Sequence, residues 1–155
     1  MLKRIYNYFS LKYSENHTQQ KNIEKRMIDE LKRFNPDSNE PSERFYHYIL
    51  TKVDELNNYK YILDFGSGLL RNTFRLKKNS KIKKVYCYDP MYENPNLQLL
   101  IRQIIIKNKK LVLSLDYKND LKKVDLFFSN LVFSHLSINE IKELLENIYA
   151  NQCDI

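Results

Sequence analysis

Gly66 and Gly68 are the only glycines in a chain of 155 residues, and both fall in one turn, "DFGSGLL", directly behind the apolar stretch "YIL". Glycine is the residue that enters left-handed backbone conformations without steric cost. A chain with so little of it can make a sharp turn of this kind in few places. The short apolar run "KYILDF" bounded by that turn therefore reads as a buried strand. Similar runs follow: "KVYCYD" (Lys84–Asp89), "LVLSLD" (Leu111–Asp116) and "VDLFFSN" (Val124–Asn130). Between them "ENPNLQLLIRQIIIKN" has helical spacing. Asn94 is its cap, Pro95 its first helical residue, and Leu97, Leu100, Ile101, Ile104 and Ile105 form one face. In "SINEIKELLENIYAN", Ser137 and Glu140 stand at capping-box spacing, with Ile141, Leu144, Leu145 and Ile148 on one face. Strands alternating with helices predict an α/β fold, a mainly parallel sheet between two helical layers, joined by right-handed crossovers.

The first sixty residues read as helical. Ile23, Met27, Ile28, Leu31 and Phe34 recur at helical spacing until "NPDSNEP", which sets an N-terminal helical extension at residues 1–41. Ser42 can cap a second helix carrying Phe45, Tyr46, Ile49, Leu50, Val53 and Leu56, which ends at Asn57 and Asn58 and opens a domain of residues 42–155. With 43% apolar and 29% charged residues the chain is expected to be globular rather than disordered. No apolar run approaches the ~18 residues of a membrane span. The first residues lack an apolar signal core and a cleavage site, so the cytoplasm is the expected location. Cys87 and Cys153 are too few and too oddly placed for a disulfide framework or a metal site. The net charge of +7 makes nucleic acid one candidate partner, because Arg71, Arg75, Lys77, Lys78, Lys81, Lys83 and Lys84 occur with no acid among them. That segment is either a phosphate-binding patch or a solvated helix end and loop. No aromatic stacking platform interleaves the charges, which favours the solvated reading.

In a parallel sheet ligands bind beyond the carboxyl ends of the strands, where the strand order reverses. The Gly66-Ser67-Gly68 turn falls at such an end. Asp89 ends the second strand 21 residues after Gly68, the spacing at which a carboxylate reaches a ribose diol. Asp116 ends the third strand and can reach an adenine amino group. Each acid has a competing role as a helix cap or a solvated loop carboxylate. A dinucleotide fold wants a small residue where Arg71 stands, which weighs against a nicotinamide-dinucleotide oxidoreductase domain.

Taken in order, "ILDFGSGLL", "VYCYDPM" and "VDLFFSNLVFSHL" resemble the motifs of class I S-adenosylmethionine-dependent methyltransferases over about residues 42–150. The resemblance implies a Rossmann-like three-layer sandwich. It implies that Gly66, Ser67 and Gly68 line the methionine and ribose of S-adenosylmethionine, or of its product S-adenosylhomocysteine, and that Asp64 orients the amino-acid part. Asp89 would take the ribose hydroxyls, Pro90 and Met91 flank the adenine, and Asp116 and Tyr117 contact its ring. Asn130 and Leu131 would border the sulfonium and the acceptor. Leu70 stands where the family commonly has a further glycine. His135, the sole histidine near the crevice, is a candidate base for a hydroxyl acceptor, against a packing or capping role. "SNLVFS" lacks the Asn-Pro-Pro-Tyr or Asp-Pro-Pro-Tyr signature of amide- or adenine-nitrogen methylation. The acceptor expected is therefore an oxygen or nitrogen of a small metabolite or sugar. The competing reading is a catalytically silent binding or scaffold module. The family's later strands are missing, so the fourth strand is expected at an edge with Leu126, Phe127 and Phe128 poorly covered. A second copy in a homodimer, or a separate chain, is then expected over residues 124–130.

Overall fold

The four apolar runs form one sheet of four strands: β1 (Tyr61–Phe65), β2 (Lys84–Tyr88), β3 (Leu111–Ser114) and β4 (Leu126–Ser129). The computed structural model describes residues 54–130 and 132–155, together with Lys25 and Asp29. The helices expected before residue 54 otherwise lie outside the described residues. The chain partitions into Met1–Phe34 and Asn35–Ile155, and the elements below all belong to the second unit. Neighbouring strands pair in parallel in the order β3-β2-β1-β4. The chain thus steps from β1 through β2 to β3 in one direction, then returns to place β4 on the far side of β1. The order reverses between β1 and β4.

Each helix follows from a local rule. α1 (Arg71–Leu76) leaves the glycine turn directly. α2 (Pro95–Ile106) starts as expected: Asn94 Oδ1 accepts from the N–H groups of Asn96 at 2.9 Å and Leu97 at 3.3 Å, with Pro95 first in the helix. α3 (Tyr117–Leu121) is a single short turn that the apolar pattern did not reveal. α4 (Ile138–Ala150) opens on a complete capping box: Glu140 N–H donates to Ser137 Oγ at 3.3 Å, and Ser137 N–H donates to Glu140 Oε2 at 2.7 Å. Leu144 and Ile148 of α4 are buried, whereas Leu145, expected on the same face, is exposed.

Alternation along the strands sorts the core. Leu63 and Phe65 of β1 pack with Phe127 of β4, Leu121 of α3, Leu144 and Ile148 of α4, and Cys153. Asp64 points to the other face, where Thr73 of α1 meets it. Helices on both faces make the three-layer, Rossmann-like sandwich.

The strands end earlier than the apolar runs suggested. β2 stops at Tyr88 and β3 at Ser114, because Asp89 and Asp116 leave the ladder to cap the turns that follow. β4 spans Leu126–Ser129 and pairs with β1 on one side only. The poor covering expected for it is overturned: Leu126 and Phe127 are buried, and Phe128 is half-buried. α4 lies over one face, and the last residues return alongside the edge. Phe127 N–H donates to the Asp154 carbonyl at 2.8 Å and Asp154 N–H to the Asp125 carbonyl at 3.2 Å, around a single parallel bridge, Leu126 to Asp154. A second chain is therefore not required to bury Leu126 and Phe127. No described helix is long and apolar enough to cross a membrane.

Candidate functional site

The turn after β1 is pinned to the end of β2. The N–H groups of Gly66 and Ser67 both donate to the Tyr88 carbonyl, at 2.8 and 2.9 Å. Gly66 and Gly68 adopt φ of +78° and +47°. A Cβ on Gly66 would stand 2.1 Å from Cγ2 of Val132, while one on Gly68 would meet nothing nearer than 4.0 Å. The space at Gly66 is thus filled by the chain's own Val132, arriving from the loop after β4. Leu70 also takes a left-handed φ of +61° and is fully buried. Its side chain joins the core, which holds the backbone against a conformational cost of about 1–2 kcal/mol.

Asp89 lies beside this turn and is 2% exposed. Gly68 N–H donates to its Oδ2 at 3.1 Å and Met91 N–H to its Oδ1 at 2.9 Å. The second bond makes Asp89 the cap of a one-turn 3-10 helix, Pro90–Glu93, which holds both Pro90 and Met91. Tyr92 of that helix, 1% exposed, donates its hydroxyl hydrogen to the Gly68 carbonyl at 2.6 Å and lies 2.9 Å from Ser67 Oγ. Burial pushes the Tyr92 phenol well above its ordinary range. Asp89 and Tyr92 therefore satisfy both polar groups of the Gly68 backbone. Tyr92 carried no motif or spacing signal in the sequence.

Asp64 is placed elsewhere. It is buried beneath α1, and Thr73 Oγ1 donates to its Oδ2 at 2.5 Å. Burial raises its pKa from 3.8 to about 7; the Thr73 hydroxyl works against this, and the Asp89 charge adds to it. In the folded state Asp64 keeps a proton that the unfolded chain releases. Its contribution to stability is full below pH 3.8 and is lost as pH rises through about 7. Asp64→Asn is expected to flatten stability against pH in that window, where each pKa unit is worth about 1.4 kcal/mol. Urea midpoints across the window measure it, and an unchanged slope would place the titration on another group.

The remaining expected residues divide. Asp116 is exposed and caps α3, its Oδ1 accepting from Asn119 N–H at 3.2 Å. Tyr117 packs edge-on against Phe65 at 5.1 Å between ring centroids and tilts against Tyr88 at the same distance. Burial pushes the half-buried Tyr88 phenol to about 12, and the nearby Tyr117 adds to this. Asn130 directly follows β4 and is half-buried; Leu131 lies outside the described residues. His135 ends a one-turn 3-10 helix, Phe133–His135, with its N–H on the Val132 carbonyl at 2.8 Å.

The Asp89 carboxylate accepts from two backbone N–H groups, those of Gly68 and Met91. Its chemistry fits a ribose diol, which would enter beside Gly68 where no Cβ intervenes. The Gly66 end fits less well, because Val132 occupies the space a sulfonium and its methyl group would need. Comparisons of the chain with protein-family models, with curated proteins and with solved structures find no match.

Proposed function

We propose that the domain binds S-adenosylmethionine and transfers its methyl group to an oxygen or nitrogen of a small metabolite or sugar. One observation carries this reading: the Gly66-Ser67-Gly68 turn and Asp89 meet at the carboxyl ends of β1 and β2, beside the switch point between β1 and β4. In this reading the Asp89 carboxylate holds the ribose hydroxyls. Pro90 and Met91 flank the adenine, Asp116 and Tyr117 contact its ring, and Asn130 borders the sulfonium and the acceptor. The cofactor would supply an already activated methyl group, so the residues of the chain mainly hold, align and exclude water. His135 would take the proton of a hydroxyl acceptor.

A second reading is a silent, methyltransferase-like binding module, and the Val132 side chain against Gly66 favours it. Calorimetric titration with S-adenosylmethionine and S-adenosylhomocysteine, on the wild type and on Val132→Ala, separates the two. The methyltransferase reading expects heat from both ligands in the wild type, and tighter binding in Val132→Ala. Binding confined to the variant supports the silent module. No heat in either protein, with clear binding of a nicotinamide dinucleotide, would overturn the cofactor assignment despite Arg71.

A further inference from the structure

Each strand of the sheet is entered through lysine. Lys60 precedes β1, Lys83 and Lys84 open β2, Lys109 and Lys110 precede β3, and Lys122 and Lys123 come shortly before β4. Because the four strands are parallel, these residues all gather at the amino end of the sheet, opposite the glycine turn. Hydrogen bonds tie the segments together there. Lys83 N–H donates to the Lys60 carbonyl at 2.7 Å. Lys84 Nζ donates to the Lys109 carbonyl at 2.8 Å, and Lys110 Nζ to the carbonyls of Lys77 at 3.2 Å and Asn79 at 2.9 Å. The ammonium groups of Lys84 and Lys110 thus hold the rim in shape, while Lys60, Lys81, Lys83 and Lys109 stand exposed on it.

Among the described residues the charge is balanced only in part. Between Phe65 and Leu115 the only acids are Asp89 and Glu93, both at the opposite end of β2. Asp54 and Glu55 stand in the 3-10 helix before Lys60. On the β4 flank, Asp125 accepts from the N–H groups of Lys60 and Tyr61, and Asp120 pairs with Lys123. Helix dipoles account for part of the pattern. The helices run opposite to the strands, so Lys77, Lys107 and Lys122 cap helix C-termini, where a cation gains about 0.3–1 kcal/mol. Lys60, Lys81, Lys83 and Lys109 lie beyond the last turn of any described α-helix, and that account does not reach them.

We propose that this amino-terminal rim, over β1, β2 and β3, is a docking surface for a nucleic-acid phosphate backbone. Asn57 stands among the lysines, its Oδ1 accepting from Asn79 Nδ2 at 3.2 Å, and an asparagine side chain is of the kind that bonds phosphate and sugar oxygens. Membrane insertion needs an apolar stripe beside the cations. Here Ile106 is, among the described residues, the only large exposed apolar side chain next to the rim lysines, with Tyr149 and Ile155 on the β4 flank. A five-residue strand spans about 16 Å, so a backbone held at this rim does not present its bases to the glycine turn. The surface anchors the protein to nucleic acid rather than offering the acceptor, and it holds whether or not the crevice binds S-adenosylmethionine.

The test is fluorescence anisotropy of the full chain with a short labelled DNA duplex and the RNA duplex of the same sequence, from about 50 to about 200 mM salt. Binding should weaken steeply with salt, by a slope of about −0.9 for each phosphate neutralised. The variant K60Q/K81Q/K83Q/K109Q should lose about three to four from that slope and bind at least about a hundredfold more weakly at the lowest salt, with an unchanged melting temperature. The control K118Q/K142Q, at exposed lysines away from the rim, should bind as the wild type does. A preference between the two duplexes identifies the source of the backbone. No binding by the wild type, equal binding by the rim variant, or an equal loss in the control overturns the proposal. So does binding to anionic phospholipid vesicles without binding to either duplex.

Discussion

Gly66→Ala should destabilise the domain by about 2–5 kcal/mol, a large share of the 5–15 kcal/mol that holds an ordinary domain folded. Two effects add. The φ of +78° is a left-handed conformation that costs a residue with a Cβ about 1–2 kcal/mol. The new methyl group would also lie 2.1 Å from Val132 Cγ2, an overlap that must be relieved by moving one chain segment or the other. Overpacking of that kind costs about 1–3 kcal/mol. The steric part belongs to Val132 and the conformational part does not, so a double-mutant cycle separates them. Gly66→Ala combined with Val132→Ala should recover the steric share and leave about 1–2 kcal/mol, read from urea denaturation. If the double variant recovers nothing, the loop after β4 does not press on the turn, and the case for a filled crevice goes with it.

The second large effect is expected at Asp89. Asp89→Ala removes the acceptor for the N–H groups of Gly68 and Met91 at a site that is 2% exposed. Leaving a buried donor unpaired costs about 1–3 kcal/mol, and the turn loses its cap as well, so a total near 3–4 kcal/mol is expected. Asp89→Asn keeps one oxygen and should fall between the wild type and alanine. A readout independent of global stability comes from Asp64. The Asp89 charge helps to raise the Asp64 pKa, so both variants should lower it and narrow the pH window over which Asp64 affects stability. Loss of stability with no movement of that window would mean that the two carboxyl groups are not coupled.

The sequence determined what depends on near neighbours and on alternation. Strand positions could be read within a few residues, because buried parallel strands need continuous apolar runs. Asn94 and the Ser137–Glu140 pair were legible as helix starts, because a capping oxygen reaches N–H groups only two or three residues away. Spacing also put Asp89 and Asp116 at strand ends, but it could not say whether their oxygens face a ligand or bond the next turn. Both arrangements satisfy the same pattern, and in the tertiary structure both acids cap. Other features depend on segments far apart in the chain: Val132 against Gly66, Tyr92 on the Gly68 carbonyl, and Thr73 on Asp64. Apolar spacing specifies which face of an element is buried but not which distant side chain meets it, so these contacts were settled only when the loops closed. The lysines stand between the two cases. Their positions before each strand are plain in the sequence, yet they become one surface only because the sheet is parallel and brings every strand start to the same end.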